Sequence, residues 1–272
     1  MLRIGELSRR SGVSADLLRA WERRYRLLEP QRSEGGFRLY GDDDLRRVLR
    51  MQALIDSGLS AAEAAREARS SAPAADGADL LAALLDFDES AAHTALDSRL
   101  AAYSLDTVLR ETVMPALRAV GARWAAGEAS IAQEHFASNL VAGRLHGLAR
   151  GWDRGAGPRA VLALPPGERH ELGLLAFGLM LRAHGWRITY LGADTPVPTL
   201  AEIAATLRPE LVVVSAVDRE RLEAVAPALR ALASGGRLAL GGPGADERLA
   251  GELGARFLPA DVVAAAELVA AG

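Results

Sequence analysis

The sequence predicts a multidomain fold: a winged helix-turn-helix head that is otherwise all α, a four-helix bundle, and a doubly wound α/β domain with a five-stranded parallel sheet. Three observations predict it. Short helical patterns broken by glycine fill residues 1–71, helical periodicity returns over residues 79–152, and apolar runs alternate with helical patterns over residues 158–272. At 272 residues, the chain is also longer than a single hydrophobic core usually supports.

Residues 1–71 contain the turn and helix-capping residues that are typical of a helix-turn-helix motif. Two short helical patterns, residues 4–11 and 14–25, meet at Gly12, and Ser14 suits the N-cap of the second. The stretch "PQRSEGGFRLY" alternates apolar residues after a glycine pair, which is typical of a small β-wing. Two further helical patterns follow, over residues 42–58 and 60–69.

The charge distribution and the amino-acid composition favour some classes of function and exclude others. Residues 1–70 contain 14 arginines and 11 acidic residues, whereas the rest of the chain contains 18 arginines and 24 acidic residues, so nucleic-acid contact is expected at the N-terminal end. The chain has no cysteine, which excludes disulfides, thiolate metal sites and cysteine nucleophiles. No apolar run approaches the roughly 18 residues that span a bilayer, so we expect a cytoplasmic protein with no membrane partner.

A linker and the bundle come next. Residues 72–78 have the small-residue, Pro and Gly composition of a linker. The helical pattern of residues 79–152 breaks near Asp88, Tyr103 and Gly127, which leaves enough segments for a four-helix bundle.

The stretch "RWAAGEASIAQEHF" crosses one of these breaks. On one continuous helix Trp124 and Glu134 would lie about 80° apart, because each residue turns the helix by about 100°. Ser130 and Gln133, however, have the spacing of a capping box that begins a new helix after Gly127. The break would allow Trp124, Glu134 and the adjacent His135 to converge.

The α/β domain is expected to place its binding site at one edge of the sheet. The apolar runs "RAVLAL", "RITYLG", "LVVVSAV", "RLALGG" and "ARFLPA" alternate with helical patterns, as in flavodoxin-like folds. Ligands of such sheets bind at the carboxyl ends of the strands. His170, Ser215 and the pair Gly241 and Gly242 all fall at those ends.

The loop "PPGERHELG" carries the sharpest functional signal. A metal-binding histidine usually donates its other ring N–H to a carboxylate, and Glu168 lies two residues before His170. Gly173 would let a large planar ligand approach the backbone. A histidine that merely caps a helix would be the default interpretation of His170 alone.

The pattern Glu-x-His-x-x-Gly, followed by Ser-x-Val at residues 215–217 and Gly-Gly at residues 241–242, resembles the cobalamin-binding domains of methionine synthase and corrinoid proteins. The resemblance implies that His170 ligates cobalt and that Glu168 and Ser215 relay to it. It also implies that Gly241 and Gly242 flank the nucleotide tail, and that Gly173 and Val217 belong to the site. Val217 replaces the more usual leucine.

Tryptophan, nine intervening residues and Glu-His together are similar to the CarH- and LitR-type photoreceptor repressors. This resemblance implies adenosylcobalamin, or another cobalamin form, as cofactor. Trp124 would then stack on the upper side, Glu134 would bind the adenosyl group and His135 would support them; the alternative for Trp124 is bundle core. In that type a histidine commonly follows the tryptophan and captures cobalt after illumination, whereas here the residue is Ala125.

"LRAWERRYRLLEPQRSEGGFRLY" resembles the MerR family of winged helix-turn-helix regulators, over about residues 2–70. The resemblance implies double-stranded operator DNA as partner. Glu22 is left as either an ion-pair partner or a base reader, and Arg26 stands where the family usually has glycine. The expected DNA-binding residues are Arg19, Arg23, Arg24, Arg38 and Tyr40.

Together these resemblances imply a non-enzymatic, cobalamin-dependent and light-responsive transcriptional repressor. One small head contacts few phosphates, so ligand-driven assembly into a homo-oligomer, a tetramer by resemblance, would switch DNA binding. Two alternatives stay open. One is a MerR-type regulator that senses another corrinoid or a tetrapyrrole without the light switch, and the other is a corrinoid methyl-carrier protein.

Overall fold

The computed structural model of the chain describes residues 2–32, 36–56, 58–69 and 77–271. It divides into two compact units, Met1–Thr112 and Val113–Gly272. The division falls inside the segment 79–152 that the sequence assigns to one bundle, so the domain boundaries remain a prediction. Most of the expected linker, at residues 72–78, lies outside the described residues.

The N-terminal unit begins with the winged head. Ser14 caps α2 by accepting a hydrogen bond from the Leu17 N–H, and Gly12 takes the left-handed conformation (φ 72°) at the turn before it, both as expected. The two wing strands pair antiparallel. The core contains Leu7, Leu18 and Trp21, all buried. The elements are α1 (Ile4–Ser11), α2 (Ala15–Tyr25), β1 (Gln31–Arg32), β2 (Arg38–Leu39), α3 (Asp42–Asp56) and α4 (Ala61–Arg69).

Arg26 ends the recognition helix α2 in a strained conformation. Its backbone has φ 51° and ψ 38°, the left-handed region that glycine adopts most easily. We expect Arg26→Gly to raise the free energy of unfolding of the head by about 1 kcal/mol, since the left-handed conformation costs an L-residue about 1–2 kcal/mol. Urea denaturation followed by circular dichroism measures this. Arg23→Gly, inside the same helix, is the control and should destabilise; a loss of stability in both variants would contradict the expectation.

Three helices and part of a π-helix complete the N-terminal unit. The buried guanidinium of Arg99 on α6 pairs with the carboxylate of Asp79 on α5. Asp88 caps α6, at the break that the sequence predicts. The π-helix Val108–Val113 then spans the division between the units. The elements are α5 (Ala78–Leu85), α6 (Glu89–Ala102) and α7 (Leu105–Thr107).

The C-terminal unit begins with α8 (Met114–Ala125) and α9 (Ile131–Leu148), followed by the α/β domain. Among the described residues, five parallel strands form one sheet in the order β4-β3-β5-β6-β7. This confirms the predicted fold class. The strands are β3 (Arg159–Ala163), β4 (Arg187–Gly192), β5 (Leu211–Ser215), β6 (Leu238–Gly241) and β7 (Arg256–Phe257); the helices are α10 (Leu172–Ala183), α11 (Val197–Leu207), α12 (Arg219–Glu223), α13 (Ala226–Ala233), α14 (Glu247–Leu253) and α15 (Val262–Ala270).

The sheet brings three loops to its carboxyl edge. They follow β3, β5 and β6, which are neighbours in the sheet although they are separated in sequence. The central strands are buried on both faces, as their continuous apolar runs require. Among the described helices, none is long and apolar enough to cross a bilayer.

Candidate functional site

The buried Glu168 carboxylate accepts most of the side-chain hydrogen bonds that organise the loop after β3. Its side chain is 2% exposed, yet both carboxylate oxygens are satisfied. Oε1 accepts from the backbone N–H groups of Arg169 (2.8 Å) and His170 (2.9 Å), and Oε2 accepts from those of Val217 (2.8 Å) and Asp218 (3.3 Å). Burial alone would raise the pKa of this carboxyl, but the hydrogen bonds lower it to about 2. Glu168 is therefore ionised at neutral pH and ties its own loop to the end of β5.

The His170 imidazole is oriented by the same carboxylate. Nδ1 lies 2.6 Å from Oε1 of Glu168. Because an ionised carboxylate only accepts hydrogen bonds, Nδ1 must carry the hydrogen, which leaves the lone pair on Nε2. The side chain is 70% exposed, and Nε2 makes no hydrogen bond with any residue that the structure describes. The loop thus exposes an imidazole whose ring is oriented by Glu168 through Nδ1, and Nε2 is the atom that could hold a metal.

Ser215 and Val217 lie at this edge in roles that differ from the expected relay. Both oxygens of Glu168 are occupied by N–H groups and by His170, and no hydrogen bond from Ser215 reaches them in the described structure. The Ser215 hydroxyl instead lies against Gly242. Val217 contributes its backbone N–H, while its side chain is largely exposed. Sequence reasoning missed Asp218, and no side-chain motif could have revealed it, because its backbone N–H makes the contact.

The three glycines of the predicted site have different surroundings. Open space surrounds Gly173, since no atom lies within 4 Å of the position of an added Cβ. At Gly241 an added Cβ would meet Leu258 at an ordinary 3.7 Å. At Gly242, where φ is 83°, it would lie 2.4 Å from the carbonyl oxygen of Ala216 and 2.7 Å from the Ser215 hydroxyl. Gly242 is required by the packing of the chain itself, whatever else it contacts.

This difference gives a paired prediction. We expect Gly242→Ala to lower the free energy of unfolding by about 3 kcal/mol, because the methyl group clashes with backbone and the left-handed conformation penalises a side chain. Gly241→Ala should stay within about 1 kcal/mol of the unmodified protein. Urea denaturation measures both. Equal stabilities of the two variants would contradict the packing argument. A Gly241→Ala protein that is stable but binds cobalamin weakly would support a role for Gly241 beside the nucleotide tail.

Trp124 stands next to the turn between α8 and α9. The capping box of Ser130 and Gln133 is present, and Gly127 has φ 74°, so α9 begins as the sequence predicts. Trp124 is 50% exposed, and Ile131 at the start of α9 is also exposed. Trp124 is therefore not core, contrary to the alternative left open for it. Exposed large apolar side chains such as this indole are the kind of surface that a ligand or partner covers.

Glu134 and His135 form a polar pair in the first turns of α9. The His135 Nδ1 lies 2.7 Å from Glu134 Oε2, and the Ser138 hydroxyl donates to Oε1 at 2.7 Å. Burial alone would raise the pKa of Glu134, but the hydrogen bonds from Ser138 and His135 lower it. Among the described residues, Trp124 has no ring contact or hydrogen bond with this pair.

In the head, Glu22 joins the recognition helix to the wing. Its Oε1 accepts from Arg38 Nε and its Oε2 from the Tyr40 hydroxyl, both at 2.9 Å. Glu22 is thus an ion-pair partner, which resolves the alternative left open by the sequence. Tyr40, which the sequence places in the DNA-binding set, has a fully buried side chain, so its part in DNA binding remains a prediction. Burial, together with the bond to Glu22, raises the pKa of Tyr40 to about 12.

Three arginines line the exposed side of α2. Arg19 forms an exposed ion pair with Asp16 at 3.0 Å, and the Arg24 guanidinium lies over the Tyr25 ring, 5.4 Å from its centroid. Arg23 is exposed and makes no ion pair with a residue that the structure describes. Arg23 and Arg24 are the cations that a phosphate can engage without first displacing a carboxylate.

The C-terminal unit has the residues that a corrinoid needs. A corrin ring supplies most of the ligands of its metal, so the protein must provide one oriented imidazole, an open approach and an apolar surface for the opposite side. Nε2 of His170, the open space around Gly173 and the exposed Trp124 are the groups of this unit that could hold such a ligand. The head and this unit together define a class of protein: a DNA-binding regulator with a corrinoid-binding sensor region.

Comparison with known proteins agrees with this class. Residues 2–71 match the family described as "MerR HTH family regulatory protein", and residues 77–146 and 158–267 match two families described as "B12 binding domain". The chain is 36% identical over 273 residues to the HTH-type transcriptional repressor CarA of Myxococcus xanthus, which covers 94% of this chain and 92% of CarA. It is 35% identical over 240 residues to the repressor CarH of the same organism, covering 81% and 80%.

The chain therefore belongs to the family of MerR-type transcriptional regulators with B12-binding domains that includes CarH and CarA. This confirms the resemblance seen in the sequence, with DNA as partner and a cobalamin as cofactor. The monomethylamine corrinoid protein of Methanosarcina barkeri has a similar fold, with a TM-score of 0.63 at 18% identity over 72% of this chain and 97% of that one. At such identity the likeness supports the fold alone.

Proposed function

We propose that this protein is a repressor that binds adenosylcobalamin at His170, assembles into an oligomer in the dark, and releases DNA when light alters the bound cofactor. It acts in the cytoplasm and catalyses no reaction. The observation that carries the proposal is the Glu168–His170 pair, an oriented imidazole with a free Nε2, on the same chain as a MerR-type head. Membership of a family that contains two named repressors supports the direction of regulation.

The chain's own residues hold and orient the cofactor. His170 would hold the cobalt through Nε2, with its ring oriented by the Glu168 carboxylate, which the N–H groups of Val217 and Asp218 hold in place. Trp124 would pack against the bound cofactor, and Glu134 and His135 would offer hydrogen-bonding groups to its adenosyl moiety. The bound cofactor supplies a light-sensitive cobalt–carbon bond. Gly241 leaves room for the tail at the end of β6.

Ala125 favours a second candidate function. It directly follows Trp124 and carries only a methyl group, so this position cannot provide a second histidine to cobalt after illumination. The alternative is a regulator that senses the presence of a cobalamin, or another corrinoid or tetrapyrrole, without a reversible light switch. The corrinoid methyl carrier is less well supported, because a DNA-binding head has no part in methyl transfer.

The test uses the full chain reconstituted with adenosylcobalamin in darkness. Its absorption spectrum, its mass in solution and its affinity for duplex DNA, selected by the dark holoprotein from a random pool, are measured before and after green light. The proposal expects a larger assembly with high affinity in the dark, and a smaller one with weak affinity after light. DNA binding that requires cobalamin but is the same before and after illumination would favour the second candidate. DNA binding of equal affinity with and without cobalamin would refute both.

Ala125→His provides a matched comparison. If loss of the upper ligand alone disassembles the protein, the unmodified protein and Ala125→His should release DNA equally on illumination, and only their lit spectra should differ. A release that occurs only in Ala125→His would show that the unmodified protein lacks the switch.

A further inference from the structure

A polar and aromatic cluster of His146, Glu171 and Tyr190 joins α9 to the α/β domain. The Tyr190 hydroxyl, on β4, donates to Glu171 Oε2 at 2.9 Å. The ring of His146, near the end of α9, meets the Tyr190 ring edge-on, with 6.1 Å between centroids and an interplanar angle of 78°. The His146 Nε2 lies 4.0 Å from Glu171 Oε1, an electrostatic contact rather than a hydrogen bond.

Trp152 fixes the same end of α9. Its ring lies 5.5 Å from that of Tyr190, and its carbonyl oxygen accepts from the Ile188 N–H of β4 at 2.9 Å. Its ring also packs so closely on Gly178 of α10 that an added Cβ there would lie 3.0 Å from it. Burial raises the pKa of Tyr190, and the bond to Glu171 raises it further, so the hydroxyl remains a donor at neutral pH.

The two ends of α9 therefore differ. The end that carries His146 contacts Tyr190 of β4 and Glu171 at the start of α10, whereas the end that carries Glu134 would face the bound cofactor under the proposed function. Twelve residues separate His146 from Glu134, which is about 18 Å along the helix axis. Over that length a tilt of only about 3° at the fixed end moves Glu134 by about 1 Å, enough to spoil a designed contact.

Glu171 connects this cluster to the cobalt ligand. It follows His170 directly in the chain and precedes α10, so one short segment carries both the lower ligand and the acceptor for Tyr190. We propose that Glu171, Tyr190 and His146 are positioning residues that fix the height of α9 above His170. They thereby set the preference for cobalamins with a large upper ligand over those with a small one. This proposal rests on the proposed cobalamin site and deepens it.

The test compares Tyr190→Phe, Glu171→Ala and their double variant with the unmodified full chain. Affinities for adenosylcobalamin, methylcobalamin and hydroxocobalamin are measured by absorption titration in darkness. Each single variant should reduce the preference for adenosylcobalamin over hydroxocobalamin by about tenfold, as loss of a hydrogen bond to a charged group implies. The double variant should lose no more than either single one, because both act through the same bond. Glu171→Gln, which keeps an acceptor oxygen, should restore most of the preference.

A second measurement needs no cofactor. In the cobalamin-free protein, hydrogen exchange of the amides at residues 135–142 should accelerate by about tenfold in Tyr190→Phe and Glu171→Ala. Tyr25→Phe, which removes a hydroxyl from the head, is the control and should leave both measurements unchanged.

The outcomes separate the two proposals. If the unmodified chain binds no cobalamin, the proposed function fails, and the exchange measurement alone decides whether the cluster fixes α9. If the unmodified chain binds cobalamin but Tyr190→Phe and Glu171→Ala keep its ligand preference and its exchange rates, the positioning role is overturned. Circular dichroism identifies a variant that fails to fold, and the other single variant then carries the comparison, with the same tenfold loss of preference and tenfold faster exchange expected.

Discussion

Replacing His170 by alanine is expected to lower the affinity for adenosylcobalamin by about 100-fold and to remove the spectral signature of an imidazole-ligated cobalt. The physical reason is that His170 Nε2 is the ligand that the loop presents, with Nδ1 fixed by Glu168 at 2.6 Å. Loss of an outer-shell partner typically costs about 10–100-fold in metal affinity, so loss of the ligand itself should fall at the upper end of that range. Absorption titration in darkness measures both effects.

His184→Ala is the matched control for this variant. His184 is exposed at the end of α10 opposite to His170, so its removal should change neither the affinity nor the spectrum. Glu168→Gln should be intermediate, at about tenfold weaker binding, because an amide cannot accept every hydrogen bond that the carboxylate accepts. Full affinity and an unchanged spectrum in His170→Ala would exclude His170 as the lower ligand.

Replacing both Arg23 and Arg24 by alanine should weaken DNA binding of the dark holoprotein by at least about tenfold at 0.1 M salt. Each lost phosphate contact also reduces the slope of log K against log salt by about 0.9. These two exposed arginines of α2 are not paired with a carboxylate in the described structure. Fluorescence anisotropy over a series of salt concentrations measures both quantities.

Arg66→Ala controls for the loss of positive charge. Arg66 is exposed on α4 rather than on the recognition helix, and it should change the affinity only slightly. Arg19→Ala should have a smaller effect than the double variant because Asp16 already neutralises much of its charge. An unaltered salt slope in the double variant would mean that α2 does not contact the DNA backbone.

Local patterns in the sequence were sufficient for much of the fold. The Ser14 cap, the Ser130–Gln133 capping box and the five strand-like runs each depend on residues close together in the chain, and the structure confirms all of them. The Glu168–His170 pair was equally predictable, because a single residue separates the partners and the chemistry of metal-bound histidine calls for a carboxylate.

What the sequence did not reveal depends on contacts between distant residues or on the backbone. Val217 and Asp218 hold Glu168 through N–H groups, which every non-proline residue possesses, so no residue type marks them. Tyr40 has the polar end of a DNA contact but is buried against Glu22, 18 residues away. The cluster of His146, Glu171 and Tyr190 spans 44 residues of sequence and has no local pattern.

The hydrogen bonds of the Glu168 carboxylate should also affect how fast the cofactor binds. The Glu168 carboxylate orients the imidazole and accepts a hydrogen bond from the Val217 N–H, so the protein itself sets the position of the ring and ties its loop to the end of β5. Little ordering remains to be done when a macrocycle arrives, so the entropic cost of encounter is small. The time course of association should fit a single exponential whose rate constant rises linearly with cofactor concentration. The slowest step should be the replacement, by His170, of the ligand that the cobalt of the free cofactor already carries.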